Sequence, residues 1–186
     1  AQYVGKLIKM VVKDTKFKWV LMLQISSKKS IFKLIIVLSI FLADRLSKIY
    51  ILKIAELENV VNIYITPYLN FYLIWNKGIA FGLFSFNDRF IYNIITLVII
   101  FVSIIIFVMI TKTNGFKNYS LLCVFGGSIG NLFDRIYYTA VPDFIDFHIN
   151  DFHWFVFNVA DIFITLGIVC LIFDEIFINN KKNENT

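Results

Sequence analysis

GGSIGNLFDR (126–135) begins the stretch of sequence that decides the fold, and VPDFIDF (141–147) and FNVAD (157–161) complete it. These segments place acidic and amide side chains in sequence that is otherwise apolar enough for a lipid bilayer. A charged carboxylate in hydrocarbon costs roughly 3 kcal/mol or more, so acids in such sequence indicate function. Asp143 and Asp161 lie on the two sides of a short predicted loop, and we predict that they form a pair able to perform acid–base chemistry.

The composition of the whole chain is that of a membrane protein. Of the 186 residues, 59% are hydrophobic and 18% aromatic, whereas soluble domains have about 45–50% apolar residues. The net charge of +5 comes from lysines that flank apolar segments. Too little polar surface remains for a basic nucleic-acid-binding face, so no nucleic-acid partner is predicted. Cys123 and Cys170 each lie within an apolar run, which predicts small packing residues rather than a disulfide.

Four apolar segments predict four transmembrane helices, at about residues 31–51, 90–110, 119–138 and 154–178. Crossing a bilayer core of about 30 Å takes about 20 helical residues. Residues 52–89 alternate turn formers with β-branched and aromatic residues, which predicts a small extracytoplasmic β-rich region. We therefore predict one mainly α-helical membrane domain over residues 30–178, with a short loop at 139–153 and a polar cytoplasmic tail at 179–186.

The lysine distribution predicts the orientation of this domain. Residues 1–29 form a basic extension, which is equally compatible with an amphipathic helix on an anionic membrane face and with a flexible cytoplasmic tail. No small-residue cleavage site follows a short apolar core there, so a cleaved secretory signal is not predicted. With four spans, both termini and the 111–118 connector share one side, which holds 12 of the 18 basic residues. The positive-inside rule makes that side cytoplasmic and places the conspicuous acids and amides at the outer face.

Paired carboxylates can hydrolyse a stable bond when they share one proton. Two like charges a few ångströms apart cannot both ionise easily, so one pKa rises and the pair titrates as a unit. One carboxylate then activates water while the protonated one polarises the scissile carbonyl, as in aspartic proteases. Asp143 and Asp161 are the predicted pair, and an anchoring role at the membrane interface is the structural alternative.

Further polar residues have spacings that suit a supporting role. Asn158 lies three residues before Asp161, so the two share a face of a predicted helix. Asn131 and Arg135 are four residues apart and share a face of another. The amides can both donate and accept hydrogen bonds, and Arg135 can pair with a carboxylate, either Asp134 or another acid, and so fix a loop.

Two other features concern the scaffold. Asp44 and Lys48 are i, i+4 neighbours near the end of the first span, in the favourable order for an ion pair. A plain ion pair at the membrane interface is as good an interpretation of them as a functional one. The small residues of Gly126–Gly130 predict close helix packing, and Gly78 permits a turn or a close backbone approach.

The two histidines raise the question of a metal site. His148 and His153 are five residues apart with no third strong ligand in the sequence, which favours surface or interfacial histidines. Asp146 and Asp151 are predicted to be solvated loop acids. We therefore predict no metal and no cofactor.

The polar segments together resemble the lipoprotein signal peptidase, or signal peptidase II, family. Five motifs carry the resemblance, in the order and spacing of the family: ADRLSK (43–48), NKGIAFG (76–82), GGSIGNLFDR (126–135), VPDF (141–144) and FNVAD (157–161). Each motif is short and weak alone, but five in order on four predicted spans are specific. Together they extend over about residues 31–178.

The resemblance implies an aspartic endopeptidase of the bacterial inner membrane. Its substrates would be prolipoproteins whose lipobox cysteine carries diacylglycerol, cut just before that cysteine, with membrane lipids as further partners and globomycin-type antibiotics as inhibitors. By the same resemblance, Asp143 and Asp161 match the catalytic pair. The supporting residues that match the family are Asn76, Gly78, Asn131, Arg135 and Asn158, with Asp44 and Lys48 as its first-helix pair.

Two features depart from the family pattern. Pro142 stands where a β-branched residue is common and removes one backbone donor next to Asp143. The basic stretch 1–29 is longer than the usual start of the family. The alternative function that we consider is a small proton- or ion-coupled transporter, whose acids would be expected near the bilayer midplane. A non-catalytic membrane scaffold would give no reason for the acids and asparagines to converge.

Overall fold

The computed structural model describes residues 2–58, 61–78, 89–150 and 152–179. Its elements are α1 (Gln2–Glu58), β1 (Asn62–Thr66), β2 (Leu69–Asn76), α2 (Arg89–Lys112), α3 (Gly115–Tyr137), β3 (Val141–Ile149), β4 (Phe152–Phe157), α4 (Val159–Phe173) and a π-helical segment (Asp174–Asn179). Contacts divide the chain into a unit of residues 1–35 and a unit of residues 36–186. The first unit contains the N-terminal part of α1, and the second contains the rest of α1 and every later element. The fold is mainly helical with one small antiparallel sheet, as predicted.

From Ile36 onward, α1 has a polar inner face and an apolar outer face. The inward side chains follow helical spacing, include two charged groups and are at most 5% exposed: Ile40, Asp44, Lys48 and Ile51. The outward face carries leucines that are about half exposed or more: Leu38, Leu42 and Leu46. A soluble helix has the opposite arrangement, so the surface of α1 suits contact with lipid.

One helix of the described part of the chain, α2, is long and apolar enough to qualify as a membrane span by length and composition. Helices α1 and α3 carry acids and bases within their apolar lengths, and α4 has 15 residues. The predicted count of four spans therefore stays a prediction.

The sheet has the strand order β1-β2-β3-β4 with antiparallel neighbours throughout. Strands within residues 52–89 were predicted, and β1 and β2 confirm them, although α1 continues to Glu58. Val61 and Phe144 pack against Ile51 of α1, which seats the sheet on one end of that helix. A second apolar cluster lies around Ile110, Leu121 and Leu122, where the C-terminal end of α2 meets the first half of α3.

Two predicted boundaries are wrong. The predicted loop 139–153 is mostly the hairpin of β3 and β4, and the helix predicted for the span 154–178 begins only at Val159, because residues 154–157 belong to β4. The sequence FHWFVF of β4 is continuous in hydropathy with the apolar run of α4, and periodicity cannot separate a short apolar strand from the helix that follows.

Glycines on α3 allow three helices to meet closely, as the small-residue pattern predicts. A Cβ atom on Gly127 would lie 2.4 Å from the carbonyl oxygen of Ala160 on α4, and one on Gly130 would lie 2.7 Å from Oδ2 of Asp44 on α1. Both distances are far inside van der Waals contact, so a larger residue at Gly127 would push against the backbone of α4, and one at Gly130 would displace the Asp44 side chain. This contact brings the start of α4 next to the polar face of α1. Cys123 and Cys170 are free and half-buried.

Candidate active site

Asp143 and Asp161 are brought together by the asparagine that precedes α4. Asp143 lies on β3 and Asp161 in the first turn of α4, and they are 2% and 4% exposed. Asn158 donates from its side-chain Nδ2 to Oδ1 of Asp143 at 2.6 Å, and from its backbone N–H to Oδ2 of Asp161 at 3.2 Å. One residue thus contacts both carboxylates, one delivered by the sheet and the other by a helix.

The sequence Asn-Val-Ala-Asp (158–161) forms a capping box. Oδ1 of Asn158 accepts a hydrogen bond from the backbone N–H of Asp161 at 3.1 Å, which reciprocates the bond described above. Asn158 is the N-cap and not a helical residue, so the prediction that Asn158 and Asp161 share one helix face is wrong. The cap orients both side chains from backbone groups that would otherwise be unpaired at the helix start.

Asn76 holds the other oxygen of Asp143. It pairs with Val141 in the β2–β3 register, two residues before Asp143, and its Nδ2 donates to Oδ2 of Asp143 at 2.8 Å. Its Oδ1 accepts from the backbone N–H of Gly78 at 2.7 Å. Both carboxylate oxygens of Asp143 therefore accept a hydrogen bond from an amide.

The surroundings of Asp143 favour its protonated form. Burial raises the pKa of the Asp143 carboxyl to about 7, and the negative charge of Asp161 acts in the same direction. The hydrogen bonds from Asn76 and Asn158 act in the opposite direction and lower this pKa. Near neutral pH, a group with such a pKa can both hold and release a proton.

Asn131 connects Asp161 to a buried group of charges. Its Nδ2 donates to Oδ1 of Asp161 at 2.8 Å, and its Oδ1 accepts from Nζ of Lys48 at 3.0 Å. The amide can make both bonds because it has a donor at one end and an acceptor at the other.

Lys48 belongs to a cluster of two acids and two bases between α1 and α3. The predicted pair of Asp44 and Lys48 is confirmed, at 2.9 Å, and Lys48 also lies 2.6 Å from Asp134. Arg45 pairs with Asp134 at 2.6 Å and with Asp44 at 2.9 Å. The possibility that Asp134 pairs with Arg135 is wrong, because Asp134 faces α1. Each of the four charges in this cluster has a partner of opposite sign, which offsets the cost of burying it.

Asp44 also caps α4. Its Oδ1 accepts a hydrogen bond from the backbone N–H of Ala160 at 3.0 Å. The negative charge thus lies at the positive end of the helix dipole, where a carboxylate is stabilising. The start of α4, which carries Asp161, is held by α1 as well as by its own capping box.

Among the residues that the structure describes, the group that Arg135 holds at the end of β2 is a backbone carbonyl and not a carboxylate. Its Nη2 donates to the carbonyl oxygen of Gly78. The Tyr92 hydroxyl donates to the carbonyl oxygen of Arg135 at 3.0 Å, and the Tyr92 ring centroid lies 5.5 Å from the guanidinium carbon. Tyr92 carries no sequence signal that separates it from other aromatic residues of an apolar helix. The rest of the NKGIAFG motif, residues 79–82, lies outside the described residues.

Pro142 is tolerated because β3 has one neighbouring strand at that level. Pro142 pairs with Trp75 of β2, whereas the pairing of β3 with β4 starts only at Ile145. A proline cannot donate to a ladder, so it is confined to places where one side of a strand is unpaired.

The two histidines lie apart from these residues, near the tip of the β3–β4 hairpin. The prediction that Asp146 is a solvated acid is wrong, since Asp146 is buried and accepts from His153. Asp151 lies outside the described residues.

A family model and named relatives match most of the chain. A family model described as "Signal peptidase (SPase) II" matches residues 36–177. The lipoprotein signal peptidase of Pelagibacter ubique (strain HTCC1062) is 56% identical over 86% of this chain and 96% of its own length. That of Anaplasma phagocytophilum (strain HZ) is 36% identical over 84% of this chain and 99% of its own length.

A solved structure supports the same assignment. A bacterial membrane enzyme determined by the in meso method at 2.3 Å resolution superposes with a TM-score of 0.62, at 25% identity, over 82% of this chain and 90% of that one. The shared fold and the sequence relatives identify an integral membrane enzyme with a protease's chemistry. The chain therefore belongs to the signal peptidase II family.

Proposed function

We propose that the chain is an aspartic endopeptidase that removes signal peptides from prolipoproteins whose lipobox cysteine carries diacylglycerol, cutting just before that cysteine. The observation that carries this proposal is the double contact of Asn158 with Asp143 and Asp161. Burial and the charge of Asp161 both raise the pKa of Asp143, which supports a pair that shares one proton. The names of the relatives supply the substrate class.

In the proposed mechanism the pair holds one proton when substrate arrives. The ionised carboxylate takes a proton from water, whose oxygen attacks the scissile carbonyl carbon, while the protonated carboxyl donates to the carbonyl oxygen. The tetrahedral intermediate then collapses: the C–N bond breaks, the leaving amine takes a proton from the pair, and a hydroxyl of the intermediate returns a proton to the pair. Asn76, Asn131 and Asn158 keep the two carboxylates in place throughout, since the side-chain N–H of each donates to a carboxylate oxygen.

The proposed topology has four membrane spans, with the carboxylate pair at the outer face and both termini in the cytoplasm. Exposed apolar side chains on α4 support its contact with lipid: Leu166, Val169, Ile172 and Phe173. The buried charges of α1 and α3 neutralise one another, so they do not oppose insertion as isolated charges would. Reporter fusions check this: we expect a fusion within residues 111–118 to report the cytoplasm and one at the β3–β4 turn to report the outside. The reverse pattern would refute the topology.

We expect turnover to depend on the lipid of the substrate. Purified protein in lipid should cut a diacylglyceryl-modified precursor at least about 100-fold faster than the same precursor without the lipid, because the acyl chains hold the scissile bond at the membrane surface and so raise its effective concentration. The measurement is the cleavage rate of each precursor under identical conditions, followed as the conversion of precursor to product on a denaturing gel. A globomycin-type inhibitor should stop the cleavage by occupying the pair. Equal rates for the two precursors would contradict the proposed substrate.

The transporter alternative has no support. The family match and the named relatives point to a peptidase, and the two carboxylates lie at the sheet end of the helices rather than midway along them.

A further inference from the structure

The tip of the β3–β4 hairpin gathers three side chains that the peptidase reaction does not use. They are Asp146, His148 and His153, and each offers one ligand atom within 4.8 Å of the others. The chain has two histidines in all, and both are here. Residues that hold a metal are often few and far apart in sequence, but strand pairing can bring them together.

The strand register explains how they meet. His148 and His153 are direct cross-strand partners, and Asp146 precedes His148 by two residues, which puts it on the same face of β3. The backbone N–H of His148 also donates to the carbonyl oxygen of Tyr68 at 3.0 Å, which ties this end of β3 to the β1–β2 turn. The imidazole rings stack with centroids 5.1 Å apart and an interplanar angle of 27°.

The Nδ1 atoms of both imidazoles lie near the same carboxylate oxygen, Oδ2 of Asp146. Nδ1 of His153 lies 2.8 Å from Oδ2 of Asp146, and Nδ1 of His148 lies 3.6 Å from it. Four ligands at the usual zinc bond lengths of roughly 2.0–2.1 Å in a tetrahedron are about 3.3 Å apart. The two observed separations fall on either side of that value, so small movements would place all three atoms around one ion.

His148 supplies a second, independent indication of a ligand. Its side chain is in the interior, with the residue 8% exposed, and its Nδ1 has no hydrogen-bond partner among the described residues. A buried imidazole nitrogen without a partner is costly, and an ion bound there would satisfy it. Asp146 is 2% exposed, whereas His153 is largely accessible to solvent. Two of the three ligands, Asp146 and His148, are therefore buried. The third, His153, is open to solvent, so an ion can enter beside it.

We propose that Asp146, His148 and His153 form a binding site for a divalent transition-metal ion, with Zn²⁺ the best-suited metal. Two imidazoles and one carboxylate are a common zinc donor set, and three protein ligands leave the fourth position for water. The ion would join β3 to β4 just three residues from Asp143, so it would hold the strand that carries one of the two carboxylates. It takes no part in peptide hydrolysis.

Zinc binding to the full chain, purified in detergent without a polyhistidine tag, tests the proposal. We expect metal-stripped protein to bind about one Zn²⁺ per chain at micromolar concentration or below, measured by competition with a chromophoric chelator and by elemental analysis. Co²⁺ in place of Zn²⁺ should give the strong visible absorption of tetrahedral cobalt. Bound zinc should raise the unfolding temperature, because an ion that binds only the folded state stabilises it.

Single substitutions identify the ligands. Asp146→Asn, His148→Asn and His153→Asn should each weaken zinc binding by at least about tenfold, since even the loss of a residue that merely orients a metal ligand has an effect of that size. Glu58→Gln, an acid-to-amide change on exposed α1 sequence, is the matched control and should bind zinc normally. Lipoprotein precursor cleavage without zinc shows that each variant is folded.

Two results would overturn the proposal. The first is the absence of zinc binding to wild-type protein at micromolar concentration. The second is zinc binding that the three variants leave unchanged. Either result would leave the cluster as a hydrogen-bonded Asp–His pair beside a stacked imidazole.

Discussion

Asp143→Asn and Asp161→Asn should each abolish cleavage of a lipidated precursor, with a loss of about 10²–10⁴-fold or more, because each removes a group that exchanges a proton during the reaction. Asparagine nearly matches aspartate in shape and can still contact Asn158. The loss of cleavage would therefore come from the missing carboxyl group and not from a change in packing. The measurement is single-turnover cleavage with enzyme in excess. Glu175→Gln is the matched control: Glu175 pairs with Lys117 at 3.6 Å on an exposed surface, where a pair contributes little, and it should keep full activity.

The stability of Asp143→Asn distinguishes lost chemistry from lost folding. In the folded protein the pKa of Asp143 is raised to about 7, from 3.8 ordinarily. The folded state thus keeps a proton that the unfolded chain has released, and stability falls as pH rises between these values. The variant has no such proton. We expect the unfolding temperature of wild type to fall from about pH 4 to about pH 7 more steeply than that of the variant.

At pH 8 the inactive variant should be at least as stable as wild type. Full activity of either asparagine variant would refute the pair. A variant that is inactive and also unfolded at every pH would show that the carboxylates are structural.

Lys48→Met should have the largest effect on stability. Lys48 is fully buried and lies within 3.0 Å of Asp44, Asp134 and Asn131. Its loss leaves Arg45 as the one described base of the cluster against two acids. Breaking a buried ion pair by removing one partner costs about 3–5 kcal/mol, because the remaining charge stays buried without compensation. Unfolding by heat or denaturant in detergent measures this loss.

Two further variants separate charge from side-chain volume. Lys53→Met makes the same change at an exposed position of α1 and should alter stability by about 0.5 kcal/mol or less. The double variant Lys48→Met with Asp134→Asn removes one charge of each sign. It should recover part of the loss, since neighbouring groups in one network are not additive. A double variant with the sum of the two single losses would contradict the role given to the cluster.

The sequence was sufficient to find the polar side chains of the site but not all their partners. Asp143, Asp161 and the asparagines stand out because acids and amides are rare in apolar sequence, and this signal does not depend on tertiary structure. Asp134 was singled out with the wrong partner, since adjacent residues on a helix point in different directions and Asp134 faces Lys48. Tyr92 has no local signal.

Strand structure was the least predictable part. The sequence predicts a loop and the start of a span where the β3–β4 hairpin lies, because the aromatic residues of the hairpin continue the apolar run of α4. The Asn-x-x-Asp capping box at Asn158 was the one local signal that marks the boundary. The meeting of His148 with His153 depends on the register between two strands, which a spacing of five residues does not reveal.

The hydrogen bond from Ala160 to Asp44 makes the geometry of the carboxylate pair depend on contacts between the first and last helices. The start of α4 needs α1 for one of its caps, Asp161 needs Asn131 of α3, and Asp143 needs the sheet that rests on the end of α1. A chain whose last helix has not yet docked lacks the geometry for hydrolysis. We therefore expect peptidase activity only after the first and last helices have met.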